Sequence, residues 1–261
     1  MAWALQSTVC YPRLIGNIMK PIVLMPTYNE RESIKELLDQ LRHLDVLIID
    51  DNSPDGTADY VKSLNYSNVD ILHRNQKDGL GNAYKAAIKK VLNENKYSHL
   101  ISMDADGSHR VKDLEKMLQV ATDNPNSVIL GSRWIHGGEI ENWPKYRKWI
   151  SKAGTWYAKI ALKMDLNDLT GGFRIYPKSV LEKLDLDQIT SNGYCYQIEM
   201  AFAVSHLQET KTIEVPIKFV ERRAGASKMS QRIVLEAMLK VTRLGLGLRI
   251  NPTADKLHYV K

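Results

Sequence analysis

The chain is poor in the residues that staple or anchor small folds. Its 261 residues hold two cysteines, Cys10 and Cys195, too few for a disulfide framework, and neither lies in a CxxC or His-rich setting that suggests zinc. A reducing compartment is therefore expected. No stretch reaches the roughly 18 consecutive apolar residues of a membrane-spanning helix. Met1 to Gly16 lacks the basic start and long apolar run of a secretory signal. Internal repeats, low-complexity linkers, a Walker A loop, HExxH and GxSxG are also missing. Gly79-Leu80-Gly81 lacks the third glycine of a dinucleotide fingerprint and does not open the first strand-helix unit, which disfavours a Rossmann dehydrogenase. The seven histidines are scattered, so a histidine metal centre is not expected.

What is present is enough apolar material, 44% of the chain, to bury a core as one α/β domain or one domain with a C-terminal appendage. Residues 21–25, 45–49, 69–72, 100–103 and 127–130 read as strands, and 30–41, 57–64, 81–93 and 112–121 as helices between them. That alternation predicts a mainly parallel sheet covered by helices, with ligands beyond the carboxyl ends of the strands. The second half reads as a Trp- and Lys-rich helix over 144–164, a strand at 173–176, a helix near 197–206, a strand over 212–219 and a closing helix over 229–248. Residues 1–18 are expected to be a mobile N-terminal tail and 249–261 a C-terminal tail, with a soft internal boundary near Gly131.

Net charge is +6, and its distribution says more than its size. Residues 133–163 carry seven Lys/Arg against two acids, and residues 219–249 repeat that ratio. The remainder is mildly acidic. Basicity confined to two segments points to local anionic partners: a diphosphate, a lipid phosphate or an acidic bilayer surface.

Two acidic motifs close apolar strands. Asp104-Ala105-Asp106 puts two carboxylates two residues apart, on the same side of an extended backbone, where both can meet one hard divalent cation. A turn at Asp106-Gly107 accounts for the same residues without a metal. Asp50-Asp51-Asn52-Ser53 offers carboxylates to ribose hydroxyls or base edges, or else caps the following helix through Asn52, Ser53 or Asp55. Together the motifs place four acids on one rim, a costly repulsion unless a cation intervenes.

With Pro26-Thr27-Tyr28-Asn29-Glu30, these motifs resemble the family-2 inverting glycosyltransferases of the GT-A fold. Gly131-Ser132-Arg133, Arg147-Lys148 with Ser151, Asp168 through Arg174, Gly193-Tyr194, Gln197 through Met200 and Glu214-Val215-Pro216 follow in order. Phe219 through Arg222 and Ser227-Lys228-Met229-Ser230 complete a series like that of dolichol- and polyprenol-phosphate mannose synthases, most like the bacterial ones. The resemblance implies a GT-A domain over 19–248, a nucleotide-sugar half over 19–131, and an acceptor and membrane-facing half over 132–248. It implies that Pro26, Tyr28, Glu30, Ile49 and Asp51 hold the nucleoside, and that Asp104, Ala105 and Asp106 hold metal and diphosphate. Arg222 and Lys228 match cations on the donor phosphates; Arg133, Arg147 and Ser151 match the acceptor-phosphate pocket, with Arg133 also near the donor. Ser108 stands where some members carry a glutamine as third metal ligand, and Arg110-Val111 replaces the His-Pro or Asp-Pro often found there.

The implied reaction moves mannose from GDP-mannose to a polyprenyl phosphate with inversion, aided by Mg²⁺ or Mn²⁺. UDP-glucose or another nucleotide sugar is an alternative donor, and a non-catalytic nucleotide-sugar-binding or membrane-scaffold protein is the alternative of another class. A phosphate monoester has a second pKa near 6, so the attacking oxygen is already anionic and no general base is needed. Asp104, Asp106, Arg133 and Arg147 are then the groups that carry the chemistry, by bringing two anions together. Trp143, Tyr146, Trp149, Ile150, Trp156 and Tyr157, interleaved with Lys145, Arg147, Lys148 and Lys152, read as a helix lying in the headgroup layer. Val234, Met238, Val241 and Leu248, beside Arg232, Lys240, Arg243 and Arg249, suggest a second. The expected location is cytoplasmic, peripheral on the cytoplasmic face of a membrane, with a membrane-anchoring subunit as a further partner in view and nucleic acid ranked well below.

Overall fold

A computed structural model describes residues 19–193, 195–221, 231–250 and 258–261, the side chains of 231–234 and 236 excepted. The chain alternates strand and helix through β1 (Pro21–Thr27), α1 (Ile34–Gln40), β2 (Asp45–Asp50), α2 (Thr57–Ser63), β3 (Val69–His73), α3 (Leu80–Glu94), β4 (His99–Ser102), α4 (Val111–Asp123) and β5 (Val128–Ser132). Then follow β6 (Glu139–Glu141), α5 (Lys145–Leu162), β7 (Arg174–Pro177), α6 (Lys178–Lys183), α7 (Cys195–Ser205), β8 (Thr212–Pro216), β9 (Lys218–Val220) and α8 (Gln231–Ile250).

Among the described residues, seven strands form one sheet in the order β3-β2-β1-β4-β7-β5-β8, and β6 pairs with β9 in a second. The large sheet is parallel except for β7, which runs antiparallel between β4 and β5. Strand alternation sorts the core into two layers. Ile22, Leu24, Leu47 and Ile49 pack beneath α3 and α7, while Val23, Met25, Val46 and Ile48 pack with α1 and α4 on the other face. A sheet buried on both faces needs such continuous apolar strands.

Two features depart from the sequence expectation. Helix α6 and strand β6 were not anticipated, and the run over 212–219 breaks into β8 and β9. Pro216 has no N–H to continue a ladder; beyond it, Ile217 donates its N–H to Ser132 O at 3.1 Å and accepts from Glu139 N at 3.0 Å, joining the two sheets. Arg110, lacking the expected proline partner, starts α4 differently: its guanidinium binds both oxygens of Asp113 in the first turn, at 2.8 and 3.0 Å.

Helices α5 and α8 pack against each other. Gly245 makes the close approach possible, since a Cβ there would meet Ala161 O at 2.6 Å. Tyr157 Oη and Thr242 Oγ1 lie 2.6 Å apart across the same contact. Buried Glu199 of α7 then ties three segments together, accepting from Ser191 N at 2.8 Å, Lys240 Nζ at 3.0 Å and Tyr259 Oη at 2.9 Å. The last residues, read above as a tail, return to the body: Val260 bridges to Leu184 and the Tyr259 ring meets Phe202 edge-on.

Tyr259→Phe removes one donor from buried Glu199 and should lower stability by about 1–2 kcal/mol, measured by urea unfolding. An unchanged midpoint would contradict the packing of residues 258–261.

Candidate functional site

All parallel strands end on one rim, and the antiparallel β7 begins there. The loops leaving β4 and β5, the loop entering β7, and α5 therefore meet. Asp104, Asp106, Arg133, Arg147 and Ser151 line a single cavity of about 160 Å³. Gly107, at φ +74°, turns the chain after the second carboxylate, and Asp106 Oδ1 accepts the Ser108 N–H at 3.0 Å. Ala105 is buried between the acids and receives Ser33 Oγ on its carbonyl at 3.5 Å.

Arg133, matched above to the phosphate sites, is already engaged by the protein. It is buried and binds Asp168 bidentately, Nε to Oδ2 and Nη2 to Oδ1, both at 2.7 Å, while Nη2 also reaches Thr170 Oγ1 at 2.8 Å. Asp168 further accepts the N–H groups of Arg133 and Gly171 at 3.0 and 3.1 Å. Burial alone raises a carboxylate pKa, but the charge and hydrogen bonds of Arg133 outweigh it and hold Asp168 below its ordinary value. The fully buried Arg174 supports the same loop, donating to the carbonyls of Gly171, Gln197 and Leu169.

Helical spacing on α5 aligns Arg147, Ser151, Gly154 and Tyr157 along the cavity. Arg147 lies 4.0 Å from the Trp143 ring centroid and pairs with Glu221 at 2.6 Å. Ser151 Oγ sits 3.3 Å from Thr170 Oγ1. Trp143 and Tyr157, expected on a membrane face, line the cavity instead, and Val241 of α8 is buried. Tyr146, Trp149, Ile150 and Trp156 on α5 are exposed, joined by Leu235, Met238, Leu239, Leu246 and Ile250 on α8.

Pro26, Tyr28, Glu30, Ile49 and Asp51 occupy the neighbouring stretch of rim at the ends of β1 and β2, outside that cavity. Pro26 lies opposite Ile49 in register. Ile49 is fully buried, backbone included, and lies between Pro26 of β1 and Leu72 of β3, so the structure does not present it to a ligand as the resemblance implied. The four-acid repulsion read in the sequence is half resolved by the protein. Asp50 accepts Ser53 N, Ser53 Oγ and Thr27 Oγ1, and Asp51 pairs with Arg74 at 2.6 Å. Burial nevertheless lifts the Asp51 carboxyl above its ordinary value. Arg74 also binds Asp78, and Lys77 Nζ lies 3.6 Å from the centroid of the Tyr28 ring. Arg222 and Lys228 lie outside the described residues.

Sequence reasoning missed His109, Asp168, Thr170, Phe219 and Glu221. Asp168, Thr170, Phe219 and Glu221 stood inside quoted motifs without a role; His109 was set aside as scattered. The imidazole is buried, stacks on Phe173 with centroids 4.5 Å apart, and accepts the Asp104 N–H on Nδ1 at 3.1 Å. Burial lowers its pKa, against the opposing pull of Asp104.

Among the described residues no cluster of three or more His, Cys, Asp or Glu could hold a metal. The residues still fit a divalent ion bound jointly with a ligand. Two carboxylates face one cavity, and Ser108 Oγ beside them is buried without a hydrogen-bond partner.

Residues 22–185 match the family model described as Glycosyl transferase family 2. The chain belongs to that family. It is 44% identical over 237 residues to an undecaprenyl-phosphate mannosyltransferase of Micrococcus luteus, covering 88% of this chain and 96% of the relative. It is 38% identical over 247 residues to a polyprenol monophosphomannose synthase of Mycolicibacterium smegmatis, covering 92% of each. Among solved structures it resembles glucosyl-3-phosphoglycerate synthase from Mycobacterium tuberculosis in complex with phosphoglyceric acid, at 14% identity and TM-score 0.58 over 88% of this chain and 80% of that one. It also resembles the mannosyltransferase PcManGT from Pyrobaculum calidifontis in complex with GDP-Man and Mn²⁺, at 16% identity and TM-score 0.56 over 88% and 64%. The family-2 domain thus has the GT-A fold, a type that commonly uses a divalent metal. No helix among the described residues is long and apolar enough to cross a membrane.

The depressed pKa of Asp168 gives this glycosyltransferase a defined acid response. Its stabilising contribution is fully present above the ordinary carboxylate range and disappears as pH falls through the lower folded value. Asp168→Asn should cost about 3 kcal/mol at neutral pH, because Arg133 loses its buried partner, and should flatten the loss of stability on acidification. Unfolding curves measured from neutral to acidic pH check both; parallel curves for variant and parent would contradict the assignment.

Proposed function

We propose that this chain transfers mannose from GDP-mannose to a polyprenyl phosphate, with inversion, while docked on the cytoplasmic face of a membrane. The observation that carries the reading is the cavity's composition. Asp104, Asp106 and Arg147 line it together with Ile150, Tyr157, Ile198, Met238 and Val241, so charged and apolar walls adjoin, as a phosphate on a hydrocarbon chain requires. The names of the two relatives agree with that acceptor class.

In this reading Pro26, Tyr28, Glu30 and Asp51 hold the nucleoside, with Ile49 packed beneath them and Arg74 and Lys77 added at its edge. Asp104 and Asp106, with Ser108 as a neutral neighbour, are the residues that would hold Mg²⁺ or Mn²⁺. When bound, the ion would supply positive charge against the departing diphosphate. Arg222 and Lys228 keep the donor-phosphate role that the family resemblance gives them. Arg147 and Ser151 hold the acceptor's phosphate, and Arg133, committed to Asp168, fixes the wall against which it rests. Aligning two anions for in-line attack is the main task, since the nucleophile needs no base.

Docking follows from the exposed apolar faces of α5 and α8. Trp149 at 75% and Ile150 at 37% exposure stand beside Lys145, Lys148 and Lys152, and Ile250 is 82% exposed on α8. Aromatic and basic residues on one such surface suit the headgroup layer.

Purified protein, GDP-mannose, Mn²⁺ and a short polyprenyl phosphate should yield a mannosylated lipid, and Asp106→Asn should reduce the rate by about 10²-fold or more. A full-rate variant would overturn the metal role, and a preference for another nucleotide sugar across a donor panel would overturn the GDP-mannose assignment. Trp149→Ser with Trp156→Ser should weaken co-sedimentation with anionic vesicles severalfold, whereas unchanged binding would remove the docking surface.

A further inference from the structure

The contact between Arg147 and Glu221 has a sign that acceptor binding must reverse. Arg147 is 8% exposed, and its guanidinium is walled by Trp143 in the cavity. Its Nη1 meets Glu221 Oε1 at 2.6 Å, while Nε is buried with no hydrogen-bond partner. Glu221 is the more open member of the pair, with side-chain exposure of 27% against 9%, and it too lines the cavity. A buried guanidinium without a counter-charge is strongly unfavourable. Glu221 neutralises it from the solvent side, where a carboxylate can retreat into water at little cost.

A phosphate brought to Arg147 competes with that carboxylate for the same donors and is repelled by it. Resting on the polyprenyl-phosphate reading above, we infer that Glu221 is a stand-in anion. It holds Arg147 when no acceptor is bound and is displaced when the acceptor's phosphate binds. Its charge thereby determines acceptor affinity and the kind of headgroup accepted. A phosphate monoester, carrying between one and two negative charges at neutral pH, replaces the lost carboxylate. A neutral polyprenol offers Arg147 no charge and leaves the Glu221 pair intact. Glu221 acts through Arg147, so it is a positioning residue for the acceptor with no part in the reacting bonds.

The opposite arrangement is also definite. If Glu221 stayed in place and oriented Arg147 while the phosphate used Nε, removing its charge would weaken acceptor binding. Glu221→Gln separates the two by direction, because glutamine keeps the size and one accepting oxygen. With the full chain at saturating GDP-mannose, the variant should lower the KM for a short polyprenyl phosphate by roughly five- to tenfold, the scale of one partly buried ion pair. The KM for GDP-mannose should stay at the parent value. Inorganic phosphate, titrated calorimetrically into each protein without any turnover, should bind the variant more tightly by a similar factor, and Glu221→Ser should move in the same direction. An acceptor KM that rises or does not change, or phosphate binding that weakens, overturns the stand-in role. Failure of the parent to use polyprenyl phosphate at all would instead sink the reaction assignment, and the phosphate titration would still decide what Glu221 does.

Discussion

The bidentate pair between Arg133 and Asp168 is the contact on which the cavity depends. Arg133 leaves the end of β5, and Asp168 lies in the loop that enters β7, so the pair joins neighbouring elements of opposite direction. Glu214 of β8 extends the brace by accepting the N–H groups of Asn167 and Asp168 at 2.9 to 3.1 Å. The end of β5, the entry to β7 and the middle of β8 are thereby locked beside Thr170, which in turn meets Ser151 of α5. Asp104 and Asp106 line the same cavity from the loop after β4, where His109 accepts the Asp104 N–H. Carboxylates and guanidinium groups can share so small a space because each buried charge has a geometrically fitted partner.

Electrostatics also divides the rim into two parts. Along β1, β2 and β3, the acids Asp50 and Asp51 are answered by protein groups, chiefly Ser53, Thr27 and Arg74. Along β4, β5 and β7, Asp104 and Asp106 share one cavity with Arg147, and the proposed reactants bring further charge to that space. The C-terminal half contributes geometry as well as charge. Glu199 anchors α8 through Lys240, and Gly245 lets α8 approach α5 closely, so the wall that includes Met238 and Val241 stays against the charged end of the cavity.

Much of this could be read from the sequence, because the signals were local. The strand pattern marked all seven strands of the large sheet, with β8 run on into β9, the spacing of Asp104 and Asp106 marked one part of the cavity, and the amphipathic pattern marked α5. What escaped depended on contacts across the chain. Nothing local says that β7 runs antiparallel, that Trp143 and Tyr157 turn inward while Trp149 and Trp156 turn out, or that Arg74 answers Asp51 from 23 residues away. Arg147 and Glu221 are 74 residues apart, and Arg133 and Asp168 are 35 apart. A motif can therefore identify an arginine as functional without revealing which acid already holds it. Helix α6 and strand β6 are short, and their boundaries are set by packing more than by intrinsic preference.

In the proposed reaction, donor and acceptor phosphates converge on the one cavity lined by Asp104, Asp106 and Arg147. Anomalous X-ray scattering from Mn²⁺, in crystals grown with GDP and a short polyprenyl phosphate, tests it most directly. The manganese peak should fall at Asp104 and Asp106, with the lipid's phosphorus within contact of Arg147. A manganese peak elsewhere, or a lipid phosphate on another face of the protein, would contradict it.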